Sequence, residues 1–216
     1  MFQGSLSWND VLLMLQGAGV TLAITFWAVL GGTILGLVFG VVRASAARWV
    51  QIVLGAFLEI FRSVPLLIQL VLINSFSSIA KFGLPPFKIA CITLAIYTAA
   101  YCAEIVRSGV LAVPQTTRRA ARSLGLTRCQ DLMSIVLPIA TRVMLPSWIG
   151  LVLAVMKDTA LVLWIGIAEL LRTSQTIVTR TQEPLLVLAI AGLIYFAMSF
   201  PIARVGGYLE RKWQMQ

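Results

Sequence analysis

Charged side chains are missing from five stretches of the chain, and these stretches set the plan of its elements. Val11–Val42 lies between Asp10 and Arg43, Ser63–Ala80 follows Arg62, and Ile89–Ala103 stops at Glu104. Val143–Met156 lies between Arg142 and Lys157, and Pro184–Ala203 ends at Arg204. A helix that crosses the hydrocarbon core of a bilayer needs about 20 mostly apolar residues. The pattern therefore predicts five transmembrane helices, over residues 18–42, 61–80, 88–104, 139–157 and 184–204, in one membrane domain spanning 1–216. The first run lacks the basic leader of a signal peptide and is followed by further spans, so it reads as an uncleaved helix. Two connections are long, 105–137 and 158–183, and function is to be sought there and in charges near the spans.

Composition agrees. The 216 residues are 59% hydrophobic and 12% charged, with mean hydropathy +0.93. A water-facing domain carries about 25% charged and about 45–50% apolar residues, so this chain reads as an all-α integral membrane protein. There is no histidine, which excludes imidazole zinc sites and histidine acid–base or triad chemistry. Cys91, Cys102 and Cys129 form neither a disulfide framework nor a thiolate metal cluster. No cofactor or metal is predicted. A net charge of +9 points in a soluble chain to nucleic acid, but in a membrane protein to cytoplasmic loops rich in Lys and Arg.

Those loops set the predicted orientation. With the N-terminus outside, the inner segments hold Arg43, Arg48, Arg107, Arg118, Arg119, Arg122, Arg128, Arg204, Arg211 and Lys212. The outer segments hold only Lys81, Lys88, Lys157, Arg172 and Arg180. The excess predicts N-out, C-in.

The inner loop is organised as two short helices around a glycine. Pro114 suits a first helical turn, where its missing N–H costs little. Gln115 to Leu124 is a helix ended by Gly125, the usual residue of a left-handed terminus. Thr127-x-x-Gln130 is a capping box that opens a second helix. That helix buries Leu132, Ile135 and Val136 until Pro138 stops it and opens span four. Ala120 and Ala121 are small enough for another surface to approach the backbone. On chemistry alone, the loop serves equally well as a basic surface on anionic head groups.

Spacing separates the two. Ala120-Ala121 is followed by Arg122, Ser123 and Leu124, then Gly125; Ile135 comes nine residues later, and Val136 separates it from Leu137-Pro138. This resembles the cytoplasmic signature of bacterial ABC importer permeases: Glu-Ala-Ala, three residues, Gly, nine residues, Ile, one residue, Leu-Pro. Further strings are GVTLAITFWAVLGGTILGLVFGVVR (Gly19–Arg43), FRSVPLLIQL (Phe61–Leu70), YCAEIVRSGVLAVP (Tyr101–Pro114), KDTALV (Lys157–Val162) and LERK (Leu209–Lys212). They resemble the polar amino acid branch of binding-protein-dependent inner-membrane components, which covers histidine, glutamine, glutamate, arginine and opine uptake.

The resemblance implies a type I ABC importer permease in the bacterial cytoplasmic membrane. Such a subunit pairs with an identical or sister permease and with a cytosolic ABC ATPase dimer. A periplasmic or extracellular solute-binding protein delivers substrate. The chain carries no phosphate-cradling G-x-x-x-x-G-K-[ST] motif and is expected to be a transport subunit, not an enzyme. Arg119, Ala120, Ala121, Arg122, Leu124, Gly125, Ile135, Leu137 and Pro138 are then the ATPase-coupling residues. One departure matters: the family's glutamate falls at Arg119, and its preceding Gly-Gln pair at Thr116-Thr117. Reversing that sign implies a complementary partner, a sister subunit that supplies the glutamate, or weaker docking.

Three Glu-x-x-Arg pairs recur near span ends: Glu59/Arg62, Glu104/Arg107 and Glu169/Arg172. At i,i+3 each pair shares a helix face and anchors a helix end. For Glu104 and Arg107, which join span three to the docking loop, transmission of motion is the sharper reading. Arg62, Pro65, Gln69, Lys157, Asp158 and Thr159 are candidates for the translocation pathway or its gate, the last three chiefly through the resemblance. Neighbours in sequence face apart on a helix, so Lys157 and Asp158 are expected to have separate partners. Gly32, Gly36 and Gly40 form a stripe for close helix packing. The segment IGIAELLRTSQTIVTRTQEP (165–184) has apolar residues at helical spacing from Ile167 to Ile177 and is expected to lie against the membrane face, offering Arg172 and Arg180 outward.

Between Trp148 and Met156 there is no acidic or amide side chain, whereas the family often places Asn-Glu at Gly150 and Leu151. A cationic substrate would lack a counter-charge here, so a polar or neutral amino acid is expected. The rivals are a secondary amino-acid transporter, which commonly has internal repeats, and a lipid-modifying enzyme, which needs clustered carboxylates or histidines. Neither feature is found. Membrane lipids, not nucleic acid, complete the expected partners.

Overall fold

A computed structural model describes residues 6–214, and within that range every regular element is helical. Helix α1 runs Trp8–Ser45, α2 Arg48–Ser63, α3 Leu66–Ile79 and α4 Pro86–Ala112. Helix α5 (Gln115–Ser123) and α6 (Arg128–Asp131) follow, then a π turn at Leu132–Val136 and α7 (Leu137–Asp158). A 3-10 segment, Thr159–Ile165, leads to α8 (Leu170–Thr181) and α9 (Pro184–Gln214).

Helix α1 opens on a capping box the apolar pattern did not reveal: the Asp10 carboxylate accepts from the Ser7 N–H at 2.9 Å, and the Ser7 hydroxyl accepts from the Asn9 N–H at 3.3 Å. Its 38 residues make a rod of about 57 Å. That exceeds the hydrocarbon thickness of about 30 Å, so the helix starts ten residues before the expected span. The extra turns pack on α8 and α9, where Met14 and Ala18 bury with Leu170, Ile177, Val187 and Ala191.

The core of the bundle is the seam between α1 and α4. Gly32 faces Thr98, Gly36 faces Cys102 and Gly40 faces Val106. Both numbers rise together, so the two helices run parallel. A Cβ on Gly36 would sit 2.5 Å from the Cys102 Cβ, and one on Gly40 2.5 Å from the Val106 Cβ; only glycine admits this approach. The stripe does what its spacing predicts. Helix α7 returns antiparallel, with Met144 against Gly109 and the Trp148 indole N–H donating to the Thr33 hydroxyl at 2.9 Å. Helix α9 runs back beside it, Gly206 meeting Ile149.

Four helical stretches are long and apolar enough to cross a membrane: Trp8–Ser45, Pro86–Ala112, Arg128–Ile165 and Pro184–Lys212. The fifth expected span differs in shape. Helices α2 and α3 meet at 98°; α2 packs on α1 and α4, and α3 on α4 and the Thr159–Ile165 segment. Val64 is extended and Pro65 is the N-cap of α3, so Pro65 both starts a helix and marks a bend. The residue before a proline is biased out of helical geometry, which puts the break at Val64. Many outward side chains are large and apolar, among them Phe26, Ile34, Leu72, Leu185 and Phe196, as suits a lipid-facing surface.

Candidate functional site

One end of the bundle gathers Arg43, Arg48, Arg62, Glu104, Arg107 and the segment 113–136; it is called the basic end. The opposite end holds Asp10, Lys157, Asp158, Glu169, Arg172 and Arg180.

At the basic end, α5 is a short helix closed by a Schellman turn. The Gly125 N–H donates to the Arg122 carbonyl at 2.9 Å and the Leu126 N–H to the Ala121 carbonyl at 3.3 Å. Gly125 has φ +86°, the left-handed conformation a Cβ opposes. The Thr127 hydroxyl accepts from the Gln130 backbone N–H at 3.3 Å and the Gln130 side-chain Oε1 from the Thr127 N–H at 2.9 Å, so the expected capping box is present. The Arg118 Nε donates to the Asp131 carboxylate at 3.2 Å, and Asp131 is fully buried. That pair ties α5 to α6, thirteen residues on.

This leaves a defined outward face. Arg119, Ala120, Arg122 and Gly125 are exposed, and Leu124 is 82% exposed. Ala121 is buried against the rest of the elbow. Gln115, Arg118, Arg119 and Arg122 line a basic cleft of about 230 Å³. Beyond the elbow the structure departs from the expected stop at Pro138: α6, the π turn and α7 form one continuous helical run from Arg128. A proline ring collides with the carbonyl four residues back in a regular helix; here the wider turn at Leu132–Val136 lies immediately ahead of Pro138. Val136 is fully buried there, while Leu132, Ile135 and Leu137 are half-buried and Pro138 is exposed.

Glu104 is the hub of a charge cluster one helix away. Its carboxylate accepts from Arg43 Nη1 at 2.6 Å and from Arg107 Nη1 at 3.0 Å. Arg62 Nη1 lies 3.7 Å from the same carboxylate and donates to Glu59 at 3.2 Å. The Arg62 guanidinium also lies over the Tyr101 ring, 5.5 Å from its centroid. One acid thus binds α1, the end of α2 and α4 together. The i,i+3 pairs were legible in sequence; the Arg43–Glu104 bond, 61 residues apart, was not. Arg62, Tyr101, Glu104, Ser108, Met144 and Ser147 border a cleft of about 480 Å³ between α4 and α7.

The other pathway candidates lie elsewhere. Gln69 is buried, and its amide donates to the Phe61 and Val64 carbonyls at 2.8 and 2.7 Å. It holds the end of α2 against α3 at the bend beside Pro65. Lys157, Asp158 and Thr159 sit at the opposite end. Thr159 is buried and donates to the Met156 carbonyl at 2.7 Å, whereas Lys157 and Asp158 have no hydrogen-bond or ion-pair partner among the described residues. Glu169 and Arg172 do not pair through their side chains. Glu169 is the N-cap of α8, and its carboxylate accepts from the Leu171 and Arg172 backbone N–H groups at 2.8 and 2.7 Å and from the Tyr195 hydroxyl at 3.2 Å. The first N–H groups of a helix have no partner of their own, and they outcompete the guanidinium. Arg180 pairs with Asp10, joining α8 to the start of α1; Arg172 and Arg180 are exposed, while the apolar face of α8 packs on α1 and α9.

The fold and this site together define a class: a multi-span helical membrane protein whose basic end carries a short capped elbow continuous with one of its spans. The profile of the binding-protein-dependent transport system inner membrane components matches residues 32–215, and the chain belongs to that family of multi-pass inner-membrane transport components. Curated relatives agree in length and identity. The glutamine transport system permease protein GlnP of Escherichia coli is 31% identical over 216 residues, covering 99% of both chains. The octopine permease OccM of Rhizobium meliloti is 32% identical over 212 residues, covering 94% of this chain and 86% of its own. The L-cystine permease TcyB of Bacillus subtilis is 32% identical, covering 91% and 84%. A solved amino acid ABC transporter crystallised with histidines superposes with TM-score 0.84 at 31% identity, over 97% of this chain and 100% of that one. The inward-facing MetNI methionine transporter gives TM-score 0.84 at 21% identity, a likeness of fold alone.

Proposed function

We propose that this chain is half of the translocation path of an ATP-driven importer for polar or neutral amino acids. A second permease, identical or sister, completes the path. A separate ABC ATPase dimer grips the α5 elbow from the cytosol, and a solute-binding protein delivers substrate to the α8 end. The orientation that fits is N-out, C-in, with the basic end inside.

The observation that carries this reading is mechanical. The exposed face of α5 is locked by the Schellman turn and the Arg118–Asp131 pair, and α6 continues without a loop into α7. A push on Arg119, Ala120, Arg122 and Leu124 therefore reaches α7 as rigid-body motion, and Glu104 and Arg107 carry it to α1 and α2. The cleft beside Glu104 is the inner part of the path, and Lys157–Thr159 border the outer gate, where Lys157 and Asp158 are free to meet cargo or the second subunit. Because Arg118 is occupied by Asp131, the exposed Arg119, Arg122 and Arg128 supply the free charge of the elbow, so the groove that receives it is acidic. The relatives' amino acid and opine cargo supports the substrate class, and the absence of an acid between Trp148 and Met156 favours cargo without a cationic side chain.

A photo-crosslinking residue at Leu124 tests the proposal in cells. It is expected to capture a nucleotide-hydrolysing subunit during uptake. Sustained uptake with no such capture would overturn the coupling role.

A further inference from the structure

Helix α2 has three faces. Leu54, Leu58 and Phe61 pack on Phe39, Ala100 and Ala103. Trp49, Ile52, Val53, Phe57 and Ile60 form an apolar face, each more than half exposed. Arg48, Gln51, Gly55, Glu59 and Arg62 form a polar face. Where that polar face meets the ends of α1 and α4, a cleft of about 420 Å³ opens, with Arg43, Arg48 and Arg107 against the single acid Glu59. Ile52 and Ala56 also line it, so the cleft is continuous with the apolar face.

Its charge is not fully spent within the chain. Arg43 and Arg107 each give one Nη to Glu104, but the buried Nε of Arg43 has no partner. Arg48 makes no hydrogen bond or ion pair with a described residue. An amphipathic helix with an open aliphatic face and arginines along its edge is the form that lies in a membrane interface. Guanidinium groups favour phosphate by planar, multidentate hydrogen bonding.

We propose that this cleft holds the phosphate of one anionic phospholipid, whose acyl chains run along Ile52, Val53 and the outer face of α2. Arg48 contacts the head group, Gln51 beside it keeps its amide on the Ala46 carbonyl at 2.9 Å, and Arg43 and Arg107 supply the field behind it. The lipid thereby braces α2 against the Glu104 hub without entering the path. Assignment to the cytoplasmic leaflet rests on the proposed orientation; the site itself does not.

Native mass spectrometry of the assembled transporter tests this without reference to transport. The intact assembly is expected to retain phosphatidylglycerol in preference to phosphatidylcholine. Arg48→Gln is expected to lower phosphatidylglycerol retention about five-fold, the effect of one arginine beside an anionic surface, while leaving phosphatidylcholine unchanged. Arg204→Gln, on α9, is expected to change neither. Equal retention of the two lipids would overturn the proposal, as would phosphatidylglycerol retention indifferent to Arg48→Gln. Displacement by millimolar inorganic phosphate would make it a site for a soluble anion instead. Crosslinking of Trp49 to a second permease, with no lipid retained, would make α2 a subunit interface.

Discussion

The two ends of the bundle are held by different physics. The opposite end is fixed by buried groups: Glu169 caps α8 and meets Tyr195. There the backbone of Glu169 passes so close to Gly17 that a Cβ on Gly17 would stand 3.0 Å from its carbonyl. The basic end is fixed by charge among partly exposed side chains around Glu104, by the buried Asp131 paired with Arg118, and by a small elbow whose Leu124 faces water. Buried, fully bonded networks hold one arrangement; partly exposed ion pairs are individually worth less. The contrast accords with the proposed coupling, in which the basic end is the one that is pushed.

Breaking the anchor should have the largest effect. Glu169→Ala removes two cap bonds and the acceptor of Tyr195, and is expected to cost about 2–4 kcal/mol, read as a lower Tm of the detergent-solubilised protein. Burial pushes the Glu169 carboxyl above its ordinary pKa, while its amide N–H partners and Tyr195 pull it back only in part. A carboxyl whose folded pKa is raised holds its proton more tightly in the folded state. Stability is therefore expected to fall as pH rises from the unfolded value of 4.5 through the folded one. Glu169→Gln is expected to flatten that slope, which a Tm series against pH checks.

The hub comes next. Glu104→Gln leaves Arg43, Arg62 and Arg107 together without their shared carboxylate, at an expected cost of about 1–3 kcal/mol, less than for a fully buried pair. High salt should recover part of that loss, whereas it should not rescue Glu169→Ala. Gly125→Ala forces a left-handed φ on a residue with a Cβ and is expected to cost about 1 kcal/mol. Its signature is a split: uptake falls sharply while Tm hardly moves. Asp10→Asn weakens the pair of a buried carboxylate with a half-exposed arginine but keeps an oxygen for the Ser7 N–H, and should cost about 1 kcal/mol.

Much of this arrangement is legible in the amino-acid sequence. The capping box at Thr127, the left-handed Gly125 and the glycine stripe are local codes, and each appears where its spacing put it. The apolar runs located the helices but not their full lengths, because α1 and α4 continue past the membrane-length segment on tertiary contacts. Glu169 was misread locally, because as an N-cap it bonds the backbone two and three residues on and not its i,i+3 arginine. Two other features were hidden for a different reason: Arg43 meets Glu104 across 61 residues and Arg180 meets Asp10 across 170. Periodicity reports which face a residue occupies, not which distant helix arrives there. The 98° bend was not foreseen: the uncharged run predicted one span over 61–80, whereas a separate helix, Arg48–Ser63, precedes the break at Val64–Pro65.

The parallel seam of α1 and α4 also bears on how the protein can be made. Their backbones meet through Gly32, Gly36 and Gly40, without help from the stretch of chain that joins them. A polypeptide severed within residues 80–85 and expressed as two fragments should find its other half in the bilayer and reassemble, whereas the same cut in a variant carrying Gly36→Leu should leave two orphaned pieces.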